Sequence, residues 1–238
     1  MLSDGTIIAL STPNGIGAIG VIRLSGNLAI EKAGLFIFPK NKKSWKKITP
    51  NTAFLADFIY MEQLIDEVLV TFFKGPNSYT GEDVVEISCH GSSYIIQKII
   101  SCFLESKVIP AQAGEFTLRA YLNKKMDLSQ AEAVADIIAS ESEAAHRIAM
   151  QQMRGGFSKN MEELRQQLIQ FKALIELELD FSEEEVNFAN KDQLKDLLST
   201  LHNDIHMLKE SFIYGNVIKN GVPVAIAGKP NAGKSSLL

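Results

Sequence analysis

Residues 228–235 read Gly-Lys-Pro-Asn-Ala-Gly-Lys-Ser, a complete GxxxxGKS directly after an apolar run at 222–227. Glycines in such a loop let backbone N–H groups turn inward around phosphate oxygens. The lysine reaches the β- and γ-phosphates, and the serine hydroxyl is placed for Mg2+. The chemistry on offer is nucleoside-triphosphate binding by the loop 228–235, with Lys234 and Ser235 as the candidate residues. A short continuous apolar run fits a buried parallel strand, so residues 222–227 are expected to form one. Only Ser236, Leu237 and Leu238 follow the motif. The helix that carries such a loop is therefore expected as a stub, and GTP hydrolysis is not expected of this chain.

A second glycine pattern needs different treatment. Gly15, Gly17 and Gly20 match GxGxxG, but Val21-Ile22-Arg23-Leu24 behind them is strand-like, whereas a dinucleotide fingerprint opens a helix there. A dinucleotide site is rejected. The segment reads as a glycine-rich connection between strands; the functional alternative is a close backbone approach to a ligand, with Arg23 as an anion partner at the strand end. His202 and His206 stand four apart, yet HNDIH has no intervening glutamate and no third ligand suggests itself, so a solvated helix face is the reading. Residues 40–47 place five lysines around the single tryptophan and read as a solvated loop, with RNA contact as the alternative. Glu183, Glu184 and Glu185 read as a helix-start or loop feature. Cys89 and Cys102 form no CxxC and no disulfide framework, and are expected as buried thiols.

The elements that must position these residues fall into two regimes. Up to about Phe116, alternation at 51–60 and 66–73 and the apolar residues Val85, Ile87 and Cys89 predict half-buried strands, and 94–104 has helical spacing. From Ser129 the period is helical. Val134, Ile138, Ala145 and Ile148 form one stripe. Leu164, Leu168, Phe171 and Ile175 form a second, and Leu194, Leu198, Leu201, Ile205, Leu208 and Phe212 a third. Three long helices are expected, broken at Gly155-Gly156 and around 181–190, with the stripes as a bundle seam. The fold class is an α+β N-terminal domain (1–120), an all-α helical domain (121–219), and the truncated start of a P-loop α/β domain (220–238).

Composition bounds the function. Of 238 residues, 46% are hydrophobic and 22% charged, which excludes disorder as the main state. Apolar stretches fall far short of the roughly 20 residues of a membrane helix, so a cytoplasmic protein with no membrane partner is expected. With 24 basic against 28 acidic residues, and the acidic excess between 121 and 220, no global field attracts nucleic acid.

Several segments together carry a resemblance: Thr12-Pro13 with GIGAIGVIRLSG, then PNSYTGEDVVEISCHG at 76–91, GEFTLRAYLNKKMDLSQAEAVADII at 114–138, and AGKPNAGKSSLL. In this order the chain closely resembles the bacterial and organellar tRNA-modification GTPase family called MnmE or TrmE. The resemblance implies a folate-binding, dimerising N-terminal domain, a helical domain, and a Ras-like GTPase domain inserted into the latter. It implies a homodimer acting with the flavoprotein MnmG in a heterotetramer, with tRNA engaged through that complex. The implied reaction places a carboxymethylaminomethyl-type group on carbon 5 of the wobble uridine. Its one-carbon unit comes from a tetrahydrofolate derivative (5-formyl or 5,10-methylene), with GTP, Mg2+ and K+ as further cofactors. By motif, Arg23, Glu82 and Lys125 look like folate contacts, and Asn231, Ala232, Gly233, Lys234, Ser235 and Ser236 look like the GTP-binding phosphate loop, with Asn231 as a potassium ligand and Ser235 as the magnesium ligand. The family's later GTPase motifs and its C-terminal Cys-x-x-Gly-Lys are not in this sequence. The alternative is therefore a non-enzymatic folate-binding and dimerisation module.

Overall fold

A computed structural model describes residues 5–40, 48–180, 191–220, 224–230 and 232–236. It divides into two compact units, 1–131 and 132–238. The first is built on one mixed seven-stranded sheet. Its strands are β1 (Ile7–Leu10), β2 (Ile19–Ser25), β3 (Ile37–Pro39), β4 (Ala53–Tyr60), β5 (Gln63–Phe73), β6 (Val84–His90) and β7 (Ile109–Pro110), in the order β3-β4-β5-β6-β2-β1-β7. Every neighbouring pair is antiparallel except β1 with β7.

Alternation decides which side chains meet the core. Ile22 and Leu24 of β2, Val68 and Val70 of β5, and Val85, Ile87 and Cys89 of β6 all enter one cluster. Helix α1 (Ala29–Ala33) contributes Ala29 and Ala33, and α2 (Ser93–Glu105) contributes Ile96, Ile99, Cys102 and Phe103 at helical spacing. Burying an aliphatic or aromatic side chain of this size stabilises by about 1.5–3 kcal/mol. Phe36, Phe58 and Phe103 pack ring to ring within 5.1–5.8 Å at one end of the cluster. The alternate residues of β2 and β6, among them Arg23, Ser25, Val84 and Glu86, therefore lie on the opposite face of the sheet.

The strands expected at 51–60, 66–73 and 85–89 and the helix at 94–104 are all present, the last extending from Ser93 to Glu105. Strand β2 begins at Ile19, inside the GxGxxG run, where a dinucleotide site needs a helix to open. Both cysteines are buried. Burial pushes the Cys89 thiol up to about 11, with the Asp66 charge adding to it, and raises that of Cys102.

After α3 (Glu115–Leu122) the chain is helical: α4 (Leu128–Ala139), α5 (Glu143–Met153), α6 (Gly156–Asp180) and α7 (Lys191–Asn220), with α5, α6 and α7 packed on one another. The first long helix expected from sequence is thus two helices. The Ser140 hydroxyl bonds the Ile137 carbonyl at 2.7 Å, and Ser142 caps α5 by accepting from the Ala145 N–H at 3.1 Å. Within α4 it is Ala133 that is buried, while Ile138 of the expected stripe is 81% exposed. Gly155, at φ +78, ends α5 as a left-handed glycine does. Leu201 is buried, while Leu168, Leu198 and Ile205 of the expected seams are exposed. The break expected around 181–190, the acidic run at 183–185, and the side chains of Leu194 and Phe212 lie outside the described residues.

Residues 224–227 are not a strand, contrary to expectation: Val224 is 80% and Ile226 44% exposed. A strand needs neighbouring N–H and C=O groups, and among the described residues no ladder partner lies beside this one. Among the described residues no helix is long and apolar enough to cross a membrane.

Candidate functional site

The loop from Lys74 to Asp83, between β5 and β6, is where three of the sequence-derived residues meet. Its ends are tied by Lys74 to Asp83 at 2.6 Å and by the Gly75 N–H to the Asp83 carboxylate at 3.0 Å. Gly81 has φ +81, and a Cβ there would come within 3.0 Å of Asn123 and 3.3 Å of Lys125. Only glycine combines that backbone conformation with so close a neighbour.

Glu82 follows it. The Glu82 carboxylate accepts from the Ser25 hydroxyl at 2.7 Å on Oε2, and from Arg119 Nη1 at 3.2 Å on both oxygens. Arg119 is buried, 5% exposed, and its Nη2 donates to Glu115 Oε1 at 3.0 Å, one helical turn away on α3. Ser25 and Thr80 are fully buried, with their hydroxyl oxygens 2.7 Å apart. The Glu82 N–H closes the set by donating to Thr80 Oγ1 at 3.2 Å.

Arg23 reaches the same loop from β2. Its Nε and Nη2 donate to Glu86 Oε1 at 2.9 and 2.7 Å, straight across the β2–β6 ladder. The guanidinium lies 5.2 Å from the Tyr79 ring and 5.6 Å from the Phe116 ring, within cation–π range of both. Tyr79 OH and Thr117 Oγ1, 2.9 Å apart, fasten the loop to α3. Lys125 comes from the turn after α3, where Asn123 Nδ2 donates to the Thr80 carbonyl at 2.8 Å and Lys125 Nζ to the Pro76 carbonyl at 2.9 Å. A shallow cleft of about 520 Å3 beside it is lined by Tyr121, Lys124, Lys125 and Asp127.

Arg23, Glu82 and Lys125 thus border one loop although they come from three separate stretches of sequence. Seven partners went unnoticed in the sequence: Ser25, Tyr79, Thr80, Glu86, Glu115, Phe116 and Arg119. One signal could have found two of them, the i,i+4 pair of Glu115 and Arg119 within GEFTLRAYL. The others depend on strand register and loop path, which one sequence does not display. Chemically the loop offers a carboxylate acceptor, two cations and two aromatic faces. That set suits a flat ligand with an N–H edge and anionic groups elsewhere.

The phosphate-loop residues belong to the second unit. Lys234 Nζ donates to the Gly228 and Lys229 carbonyls at 3.0 and 2.8 Å, and Lys234, Ser235 and Ser236 form a single 3-10 turn. Gly233 has φ +78 and Ala232 is exposed. Asn231 lies outside the described residues. The donor types fit a phosphate, but the irregular, exposed residues 224–227 give them no strand to stand on. The rings of His202 and His206 stack at 6.3 Å on an exposed part of α7. Lys40 pairs with Asp57 and Glu67, and the rest of the lysine-rich run lies outside the described residues.

Residues 6–125 match the family model described as GTP-binding protein TrmE N-terminus, and residues 128–223 that of the MnmE helical domain. The chain is 55% identical over 238 residues to the tRNA modification GTPase MnmE of Christiangramia forsetii, spanning all of this chain and 50% of the relative. It is 56% identical to the proteins of that name from Flavobacterium psychrophilum and Flavobacterium johnsoniae, covering 100% of this chain and 52% and 51% of theirs. The chain spans about half the length of these relatives, over their N-terminal and helical portions. By these matches, and by a first unit that carries the whole TrmE N-terminal match, the chain belongs to the MnmE (TrmE) family.

Proposed function

We propose that this chain is the folate-binding and helical portion of a tRNA-modification GTPase. The folate domain is read over 1–120, the helical domain over 121–219 and the start of a G domain over 220–238. The observation that carries the reading is that Arg23, Glu82 and Lys125 border the single loop between β5 and β6. The Glu82 carboxylate, with 22% of its side chain exposed, would accept from the amino and amide N–H groups of a pterin. Arg23 and Lys125 would meet the ligand's carbonyl oxygens and carboxylates, and Tyr79 and Phe116 would offer flat apolar contact.

When bound, a tetrahydrofolate derivative supplies a one-carbon unit, destined in this reading for carbon 5 of the wobble uridine in a complex with MnmG. GTP, Mg2+ and K+ belong to the whole protein, with Lys234, Ser235, Ser236 and Asn231 as this chain's contribution. Homodimerisation through the first unit completes the reading. Titration of the chain with 5-formyltetrahydrofolate tests it: saturable binding is expected, and heat changes no larger than dilution would remove it.

A further inference from the structure

The Glu82 carboxylate is held in a defined orientation by a closed circuit of hydrogen bonds, and proton bookkeeping fixes the direction of each. An ionised carboxylate only accepts, so the single Ser25 proton goes to Glu82 Oε2. With that proton committed, the Ser25–Thr80 contact must run from the Thr80 hydroxyl to Ser25 Oγ. Thr80 Oγ1 in turn accepts from the Glu82 N–H. The circuit begins at the Glu82 backbone and returns to its own side chain through two fully buried hydroxyls. Chains of this kind strengthen one another in a low-dielectric interior.

Arg119 completes the setting. Its Nη1 stands 3.2 Å from each Glu82 oxygen, in the cleft between them, while Nη2 is anchored on Glu115. A carboxylate has about four acceptor sites. Arg119 bonds both oxygens and Ser25 adds a second bond on Oε2, so Oε1 carries one hydrogen bond fewer than Oε2 and keeps acceptor capacity. We propose that Arg119, Ser25 and Thr80 are positioning residues that present Glu82 Oε1 as the acceptor for the amino group on the N–H edge of the ligand. They thereby set selectivity for ligands that carry such an edge. This inference rests on the folate reading above.

The test compares two ligands on the full chain: 5-formyltetrahydrofolate and an analogue whose pyrimidine ring lacks the 2-amino group. Loss of one hydrogen bond to a charged acceptor should give wild-type discrimination of roughly tenfold to a hundredfold. Ser25→Ala and Arg119→Gln are expected to reduce that ratio to within about threefold, and Arg119→Lys to restore part of it. A merely structural role would weaken both ligands together and leave the ratio unchanged. If Arg119→Gln does not fold, Ser25→Ala decides the matter. The inference is overturned if the variants that fold, Ser25→Ala with or without Arg119→Gln, keep the wild-type ratio. Failure of the wild-type chain to bind either ligand overturns the folate reading itself, and this inference with it.

Discussion

Arg23 and Glu86 face each other at one register position of the β2–β6 ladder, and two nitrogens of the guanidinium close on the same carboxylate oxygen, at 2.9 and 2.7 Å. Both side chains are about a quarter exposed, at 24% and 29%, so solvent screens the pair in part. A coupling energy on the order of 0.5–1 kcal/mol is expected from a double-mutant cycle of Arg23→Ala and Glu86→Ala in urea denaturation. Arg23→Lys should recover little of it, because an ammonium cannot repeat the two-nitrogen grip or the stacking on Tyr79 and Phe116. Full recovery by lysine would show that only the charge matters.

Gly91 joins β6 to α2 where the backbone of Gly17 passes. A Cβ at Gly91 would sit 2.3 Å from the Gly17 carbonyl oxygen and 2.6 Å from its carbon, and neither atom belongs to a flexible side chain. The Gly17 and Gly91 N–H groups also bond across this junction, at 3.3 and 3.1 Å. Gly91→Ala should therefore cost about 1–3 kcal/mol, read as a lower urea midpoint. An unchanged midpoint would show that the junction opens at no cost.

Cys89 carries a pH prediction. Burial pushes its thiol from 9.0 up to about 11 in the folded chain. A raised folded value means that the unfolded chain releases its proton first as pH rises. Stability should therefore hold below about pH 9 and fall between pH 9 and 11. Cys89→Ser tests the assignment, since the serine variant should show a shallower alkaline slope, keeping the part that the buried Cys102 contributes. At neutral pH neither cysteine should react with iodoacetamide until the chain unfolds.

Much of the fold was legible because the first unit alternates cleanly: Val85, Ile87 and Cys89 mark β6 and its buried face without any partner in view. The split between α4 and α5 was not. Apolar spacing continues across Ser140–Ser142, and only the cap at Ser142 shows that the backbone restarts. Residues 222–227 have the composition of a buried strand, but composition does not supply a ladder partner. At the candidate site, Arg23, Glu82 and Lys125 were found by motif. Ser25 and Thr80 escaped because their importance lies in a contact that spans 55 residues of chain and depends on register.

The phosphate loop yields a negative expectation. Lys234 is turned onto the Gly228 and Lys229 carbonyls, and Val224 and Ile226 are exposed where a strand would hold the loop rigid. Catalysis of phosphoryl transfer depends on preorganised donors. GTP hydrolysis by the purified chain should stay at background with Mg2+ and K+ present. Potassium-stimulated phosphate release would overturn this.

If the loop between β5 and β6 binds a tetrahydrofolate through Glu82, calorimetric titration of 5-formyltetrahydrofolate into wild-type and Glu82→Gln chains, each with a parallel melting curve, should show it. Saturable wild-type binding is expected, with a loss of roughly tenfold to a hundredfold in the variant, from about 1.5–3 kcal/mol of charge-assisted hydrogen bonding. The melting curve should move far less, since the amide oxygen of the substituted side chain can still accept from Arg119 or Ser25. A variant that melts much lower yet keeps wild-type affinity would remove Glu82 from the ligand site and reduce it to a brace for its loop.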